Sequence, residues 1–322
     1  EPWFLAHGIT AFGKDFVGWN KQKAVDLIAR FAESVVINKK NIVGFDPQKE
    51  NHIVDSHRDL LLKTFLSAGL SLDQSFTTAQ GKTFLLKDLL ETSLLRFEVN
   101  SSVEFWHELP WTLFSYNLAL PYEYHWKNYR GEKFYLPQIY DYAFKTLEKE
   151  NEDIEAWMTQ QKGQFGKYQA KIFSHPCGGF HYYHGTLLFL RDENLKKNYH
   201  DRLKKQIDIL FYRLEKEPLV YDRVKIVVEL DFDRLAIQQL KFFGHFLELA
   251  STLEKNRIWK FDENQKKAVI QARKYLLGVI KRMIQRNTFA RIDSVKLEQK
   301  QLFQDLVGDS CHAINGLRYW NE

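Results

Sequence analysis

Apolar residues recur with a helical period along most of the chain. Over 21–37 they fall at Ala24, Leu27, Ile28, Phe31 and Val35, the i, i+3, i+4, i+7 spacing that gives a helix one apolar face. The same spacing predicts amphipathic helices over 85–97, 136–148, 203–214, 265–284 and 295–306. Strand-like runs are confined to 83–85 and 224–230, too few for a principal sheet. The chain therefore reads as all-α.

A second kind of helix alternates with these. Segments starting at Phe4, Ser56, Leu109, Phe180, Phe243 and Cys311 each place a His or Trp near their start and continue in small and apolar residues with little charge. The anchors are His7, His57, Trp111, His181, His245 and His312, separated by fifty to seventy residues, room for one apolar and one amphipathic helix per unit. Six such units predict a closed ring of hairpins, apolar helices inside and amphipathic ones outside. In this the chain resembles the (α/α)6 toroid, or six-hairpin, superfamily. The resemblance is architectural and covers nearly the whole length. It implies one domain over 1–322 with a central cavity, the inner-helix N-termini gathered at its mouth. Residues 38–51 and 70–82 read as loops, and 151–171, with Gly163 and Gly166, as an insertion on the rim.

Composition sharpens this reading. The 322 residues are 44% hydrophobic with only 7 Pro, enough for a sizeable core. Aromatic residues reach 15%, which suits either an aromatic-rich helical core or a cleft that stacks sugar rings, the latter with Trp106, Trp111 and Trp126 as platforms beside His57 and His7. The net charge of +5 is spread over mixed Lys/Glu helix faces, and no nucleic-acid-binding signature accompanies it. No apolar run is long enough to cross a bilayer. The sequence opens Glu1-Pro2-Trp3 without Met, so a removed signal peptide and a periplasmic or secreted location are expected.

The densest chemistry lies in 174–190, where Pro176, Gly178 and Gly179 permit a sharp turn into a helix over 180–190. That helix brings His181 and His184 onto one face beside Tyr182, and Cys177 precedes it. Several chemistries fit. Cys177, Cys311 and His312 form a zinc shell with an open position. The pair Cys311-His312 is similar to the Cys-His pair of the lanthionine cyclases, which, like the protein prenyltransferases, hold zinc in an α-toroid. The chain departs from that pattern: Cys177 lies two hairpins before Cys311, and no Gly follows His312. Cys177 beside His181 at a helix N-terminus also has the makings of an activated thiol. His181, Tyr182 and His184 resemble the proton-abstracting groups of toroidal polysaccharide lyases. Glycoside hydrolysis needs two carboxylates. Asp55, Asp59, Glu104, Glu108, Glu248 and Asp309 all fall near inner-helix starts, with Glu248 three residues after His245.

The expectation is a carbohydrate-active enzyme, hydrolase or lyase, acting on a polysaccharide or peptidoglycan-like glycan. His181, Tyr182, His184, His245, Glu248 and Glu108 would be catalytic, with no cofactor. The alternatives are the zinc enzyme of Cys177, Cys311 and His312, and a non-catalytic toroid that binds a glycan or peptide.

Overall fold

The computed structural model describes residues 1–18, 21–49, 52–100, 102–160, 165–166, 169–227 and 232–320. The expected all-α class holds: 68% of the described residues are helix, and the described strands form only two-stranded antiparallel hairpins. No helix among the described residues is long and apolar enough to cross a membrane. The chain gathers into two compact units, 1–144 and 145–322.

The first unit contains α1 (Pro2–Phe12), α2 (Ala24–Ala29), β1 (Glu33–Ile37), β2 (Lys40–Gly44), β3 (Gln48–Lys49), β4 (His52–Ile53), α3 (Leu60–Ser67), β5 (Ser75–Thr77), β6 (Thr83–Leu85), α4 (Leu86–Arg96), α5 (Val103–Ala119), β7 (His125–Lys127) and β8 (Lys133–Tyr135). It closes with the start of α6 (Leu136–Glu150). The helix expected over 21–37 is only six residues long, because the β-branched run Val35-Val36-Ile37 meets a two-residue turn. Asn38 and Lys39 both take left-handed φ (48° and 64°) and fold β1 back on β2, with Ser34 opposite Val43 and Ile37 opposite Lys40. Part of the 38–51 stretch read as a loop is therefore strand.

Two hairpins share one plan. Phe76 lies opposite Phe84 in β5–β6 and Trp126 opposite Phe134 in β7–β8. Each turn ends in a left-handed glycine, Gly81 or Gly131, and each hairpin runs straight into a helix. These hairpins fill the core with aromatic rings: Trp126 packs on Phe97, Tyr116 and Phe134, and its indole N–H donates to Leu94 O at 3.0 Å. Within this unit α3 packs against both α1 and α5.

The second unit holds α7 (Glu152–Gln160), α8 (Phe180–Leu187), α9 (Glu193–Val227), α10 (Phe232–Lys255), α11 (Glu263–Gln285), α12 (Ile292–Glu298) and α13 (Lys300–Tyr319). Of the 151–171 insertion, 152–160 is the helix α7, and residues 161–164 and 167–168, Gly163 among them, lie outside the described residues. The strand expected at 224–230 is not seen. Residues 224–227 extend α9, since adding a turn to a formed helix is easier than starting a strand, and 228–230 lie outside the described residues. The helix expected over 295–306 breaks at Gln299, whose backbone (φ −144°, ψ 78°) is not helical.

The stretch 176–190 folds largely as its residues predict. Cys177, Gly178 and Gly179 take left-handed φ in succession, and α8 starts at Phe180. Packing is tightest between α10 and α13. A Cβ on Gly244 would lie 3.1 Å from the backbone of Ala313, and one on Gly316 would lie 2.8 Å from Glu248 N. Only glycine permits that approach.

Candidate functional sites

In the first unit, β1–β2, α3, α4 and α5 surround a pocket of about 800 Å³. Its chemistry comes mainly from the segment Asp55–Asp59, which leads into α3. Asp59 sits at the α3 N-cap with φ 64° and ψ 14°, a left-handed conformation that costs a non-glycine residue about 1 kcal/mol or more. Tertiary bonds hold it there. Ser93 Oγ donates to Asp59 Oδ2 at 2.8 Å, Thr112 Oγ1 donates to the same oxygen at 2.5 Å, and Tyr116 lies 3.0 Å behind Ser93.

Asp55 also lines the pocket and accepts from Leu61 N at 3.2 Å. Burial first, then the charges of Asp59 and Glu108, raise its pKa well above the ordinary carboxyl value, so Asp55 keeps its proton far more readily than a free aspartic acid. Glu108, from α5, faces the same segment. Its Oε2 accepts from Arg58 N at 2.6 Å and its Oε1 lies 3.0 Å from His57 Nδ1. The His57 ring lies flat on Trp111 at 4.0 Å and 6°, which fixes its plane.

Two arginines face this acidic group. Arg58 and Arg96 both line the pocket, and burial, with Arg58 as a like-charged neighbour, lowers the pKa of Arg96. Two buried polar atoms on the wall, Arg58 Nη2 and Ser56 Oγ, have no hydrogen-bond partner among the described residues. A donor left open on a buried guanidinium calls for an acceptor from a ligand.

The second unit carries a buried cluster between α10 and α13. Glu248 Oε2 lies 2.7 Å from His312 Nδ1, and Asn315 Nδ2 donates to Glu248 Oε1 at 2.7 Å. His245, fully buried, lies 3.7 Å from Glu248 Oε2 through Nδ1 and 3.3 Å from Asp309 Oδ1 through Nε2. Burial, then His312, lowers the His245 pKa well below the ordinary imidazole value. The His181 ring stands edge-on to His245 (4.9 Å) and to His312 (5.3 Å). Lys241 reaches Asp305 at 3.0 Å and Asp309 at 3.7 Å.

Of the residues singled out in the sequence, His57, Glu108 and Trp111 meet in the first unit, and His181, His245, Glu248 and His312 meet in the second. Tyr182 turns toward His175, with ring centres 4.9 Å apart, and His184 is buried. His7 Nδ1 lies 2.8 Å from Trp3 O inside α1, and His7 does not line the pocket. Trp111 and Trp126 are packed in the core at 3% and 8% exposure, so among the three expected platforms only Trp106 keeps a half-exposed ring, beside Tyr142.

Both cysteines are free. Ligand atoms of Cys177, His181 and His245 lie within 4.8 Å of one another, as do those of His245, Glu248 and His312, whereas Cys311 joins neither set. The expected activation of Cys177 is reversed. Burial, then the charge of Asp309, raises its pKa, and Cys311 is pushed up to about 11 by burial and Glu248. Arg58, Arg96, Lys241 and Asn315 were not singled out by sequence. The triplet His57-Arg58-Asp59, charged at the start of an apolar helix, was the one local signal for the first of them.

Comparison with known protein families, curated proteins and solved structures finds no match for this chain. Its chemistry therefore has to be read from these two sites.

Proposed function

We propose that the protein is a carbohydrate-active enzyme that hydrolyses a glycan bearing acidic groups, in the pocket of the first unit. The observation that carries this reading is Asp55, a proton-retaining carboxyl within the field of Asp59 and Glu108 on the wall of an open pocket. A glycosidase pairs a proton-donating carboxyl with a second carboxyl that acts as base or nucleophile. Asp55 donates a proton to the leaving oxygen. Glu108 or Asp59 acts as base or nucleophile, and His57 orients Glu108. Arg58 and Arg96 take a carboxylate or sulfate of the substrate, which satisfies the open Arg58 donor.

The same arginines favour a second reading, a polysaccharide lyase, since neutralising a uronate acidifies its α-proton. The six-hairpin (α/α)6 ring is part of this proposal. Its support is that α3 packs against α1 and α5 in one unit and α10 against α8 and α13 in the other; five of these helices bear their His/Trp anchor, and the sixth anchor, His57, stands just before α3.

The test is a screen of uronate-containing and sulfated glycans with wild type, Asp55→Asn and Arg58→Met. Hydrolysis releases reducing ends without new ultraviolet absorbance, and elimination creates a conjugated double bond. Asp55→Asn should lower turnover by about 10²-fold or more with binding retained. Glycan binding without turnover in wild type would make the protein a binding module, and activity undiminished in Asp55→Asn would remove the acid role.

A further inference from the structure

The buried cluster of the second unit is separate from this chemistry and does not depend on it. We infer that His245, Glu248 and His312 bind one divalent transition-metal ion of the zinc class, with an open coordination position toward His181. Three potential ligand atoms, all from buried residues of α10 and α13, lie within 4.8 Å of one another. Two imidazoles and a carboxylate are a donor set that zinc accepts while keeping a fourth position open.

His245 carries the inference. It is fully buried, and neither ring nitrogen makes a hydrogen bond among the described residues, although carboxylate oxygens stand 3.3 and 3.7 Å away. An imidazole enclosed in this way, facing carboxylates without bonding to them, is a poor core residue and a good ligand. In a tetrahedral site with ligands at 2.0–2.1 Å, neighbouring donor atoms are about 3.4 Å apart. The distances from Glu248 Oε2 to His312 Nδ1 (2.7 Å) and to His245 Nδ1 (3.7 Å) bracket that value. The ion would enter between these atoms with sub-ångström shifts and displace the proton shared by His312 and Glu248.

The surroundings match the support that metal ligands receive. Asn315 fixes the second oxygen of Glu248, and Asp309 stands behind the other nitrogen of His245. Lys241 in turn fixes Asp305 and Asp309. The glycine contact at Gly316, against Glu248 N and Leu247 Cβ, sets the spacing of the two helices that supply the ligands. The competing set of Cys177, His181 and His245 shares His245, but His245 is the one member of it that is fully buried.

The experiment uses the full chain, washed with chelator and titrated with Co(II) and Zn(II). Binding is followed by visible absorption, elemental analysis and proton release, and the zinc-loaded wild type is examined by X-ray absorption. The expected result is one ion per chain, a first shell of nitrogen and oxygen with imidazole scattering, and a proton released on binding. Asn315→Ala, outside the ligand set, should weaken binding about 10–100-fold. Glu248→Gln should weaken it at least as much. No stoichiometric ion in wild type overturns the inference. So does a sulfur-to-cobalt band that vanishes in Cys177→Ser, or an affinity unchanged in both Asn315→Ala and Glu248→Gln. Should Glu248→Gln fail to fold, the wild-type absorption spectrum decides alone.

Discussion

A methyl group added at Gly316 would stand 2.8 Å from Glu248 N, 2.9 Å from Leu247 Cβ and 3.0 Å from Gly244 O. None of these atoms is the end of a flexible side chain, so α10 and α13 must separate to admit it. Overpacking of this kind costs about 1–3 kcal/mol, and rigid backbone contacts put Gly316→Ala at the upper end. Replacing Gly by Ala inside a helix returns about 1 kcal/mol. The net loss is about 2 kcal/mol, which for a unit of this size lowers Tm by about 4–8 °C. Differential scanning calorimetry reads this directly. Gly278→Ala in α11 is the control: its new methyl would have only Arg282 Nη1 nearby, at 3.7 Å, so that variant should gain up to about 1 kcal/mol. A Gly316→Ala midpoint equal to or above wild type would refute the close approach of the two helices.

Two further outcomes follow from buried charge. Because Asp55 has a raised pKa in the fold, the native state holds more protons than the unfolded state between the ordinary value of 3.8 and the raised one. Stability therefore falls as pH rises through that window, by at most about 1.4 kcal/mol per unit. Asp55→Asn keeps the acceptor for Leu61 N and should flatten this slope in denaturant titrations run across pH; an unchanged slope would assign the proton elsewhere. In the second unit, Arg213 and Glu217 are paired at 2.7 Å and each is 1% exposed, with Arg213 Nη2 also donating to Gly178 O at 3.0 Å. Arg213→Ala should cost about 3–5 kcal/mol in urea unfolding, and adding Glu217→Leu should recover part of it; a loss under about 1 kcal/mol would show that the pair is not buried.

The parts of the fold that were legible in sequence are those fixed by neighbours in the chain. Gly178 and Gly179 signal the turn that starts α8, and the apolar period over 265–284 falls within α11, whose start the structure shows capped by Asp262 and Gln265. The β1–β2 hairpin was hidden because Val35 fits a helical face as well as a strand, and its deciding feature is a two-residue turn without glycine. Trp126 shows the limit for side chains. A tryptophan on a polar segment looks like a sugar platform, but the partners that bury it come from 94–97, 116 and 134. The roles of Asp55 and Asp59 were hidden in the same way. Both precede an apolar helix, and only Ser93, Thr112, Tyr116 and Glu108, supplied by α4 and α5, separate the proton-retaining carboxyl from the one held by hydroxyls.

The two clusters differ in what their surroundings allow, and this is why turnover is assigned to the first unit although 174–190 is richest in reactive residue types. Acid–base catalysis on a glycan needs room for a sugar, a carboxyl that gives up a proton within reach of it, and donors left for the substrate. The first unit offers an 800 Å³ pocket, the proton on Asp55 and the open Arg58 donor. In the second unit the cysteine thiols are held protonated, and Tyr183, its pKa raised by burial, accepts from Asn151 Nδ2 and donates to Gln206 Oε1. His245 is sealed between helices that touch through glycine. Such an enclosed site has the rigidity and the donor set that hold an ion. The wealth of His and Cys that draws attention in the sequence is therefore better matched to binding a small cation than to glycan chemistry, and the proposed glycan chemistry rests on carboxylates that look ordinary until the fold brings them together.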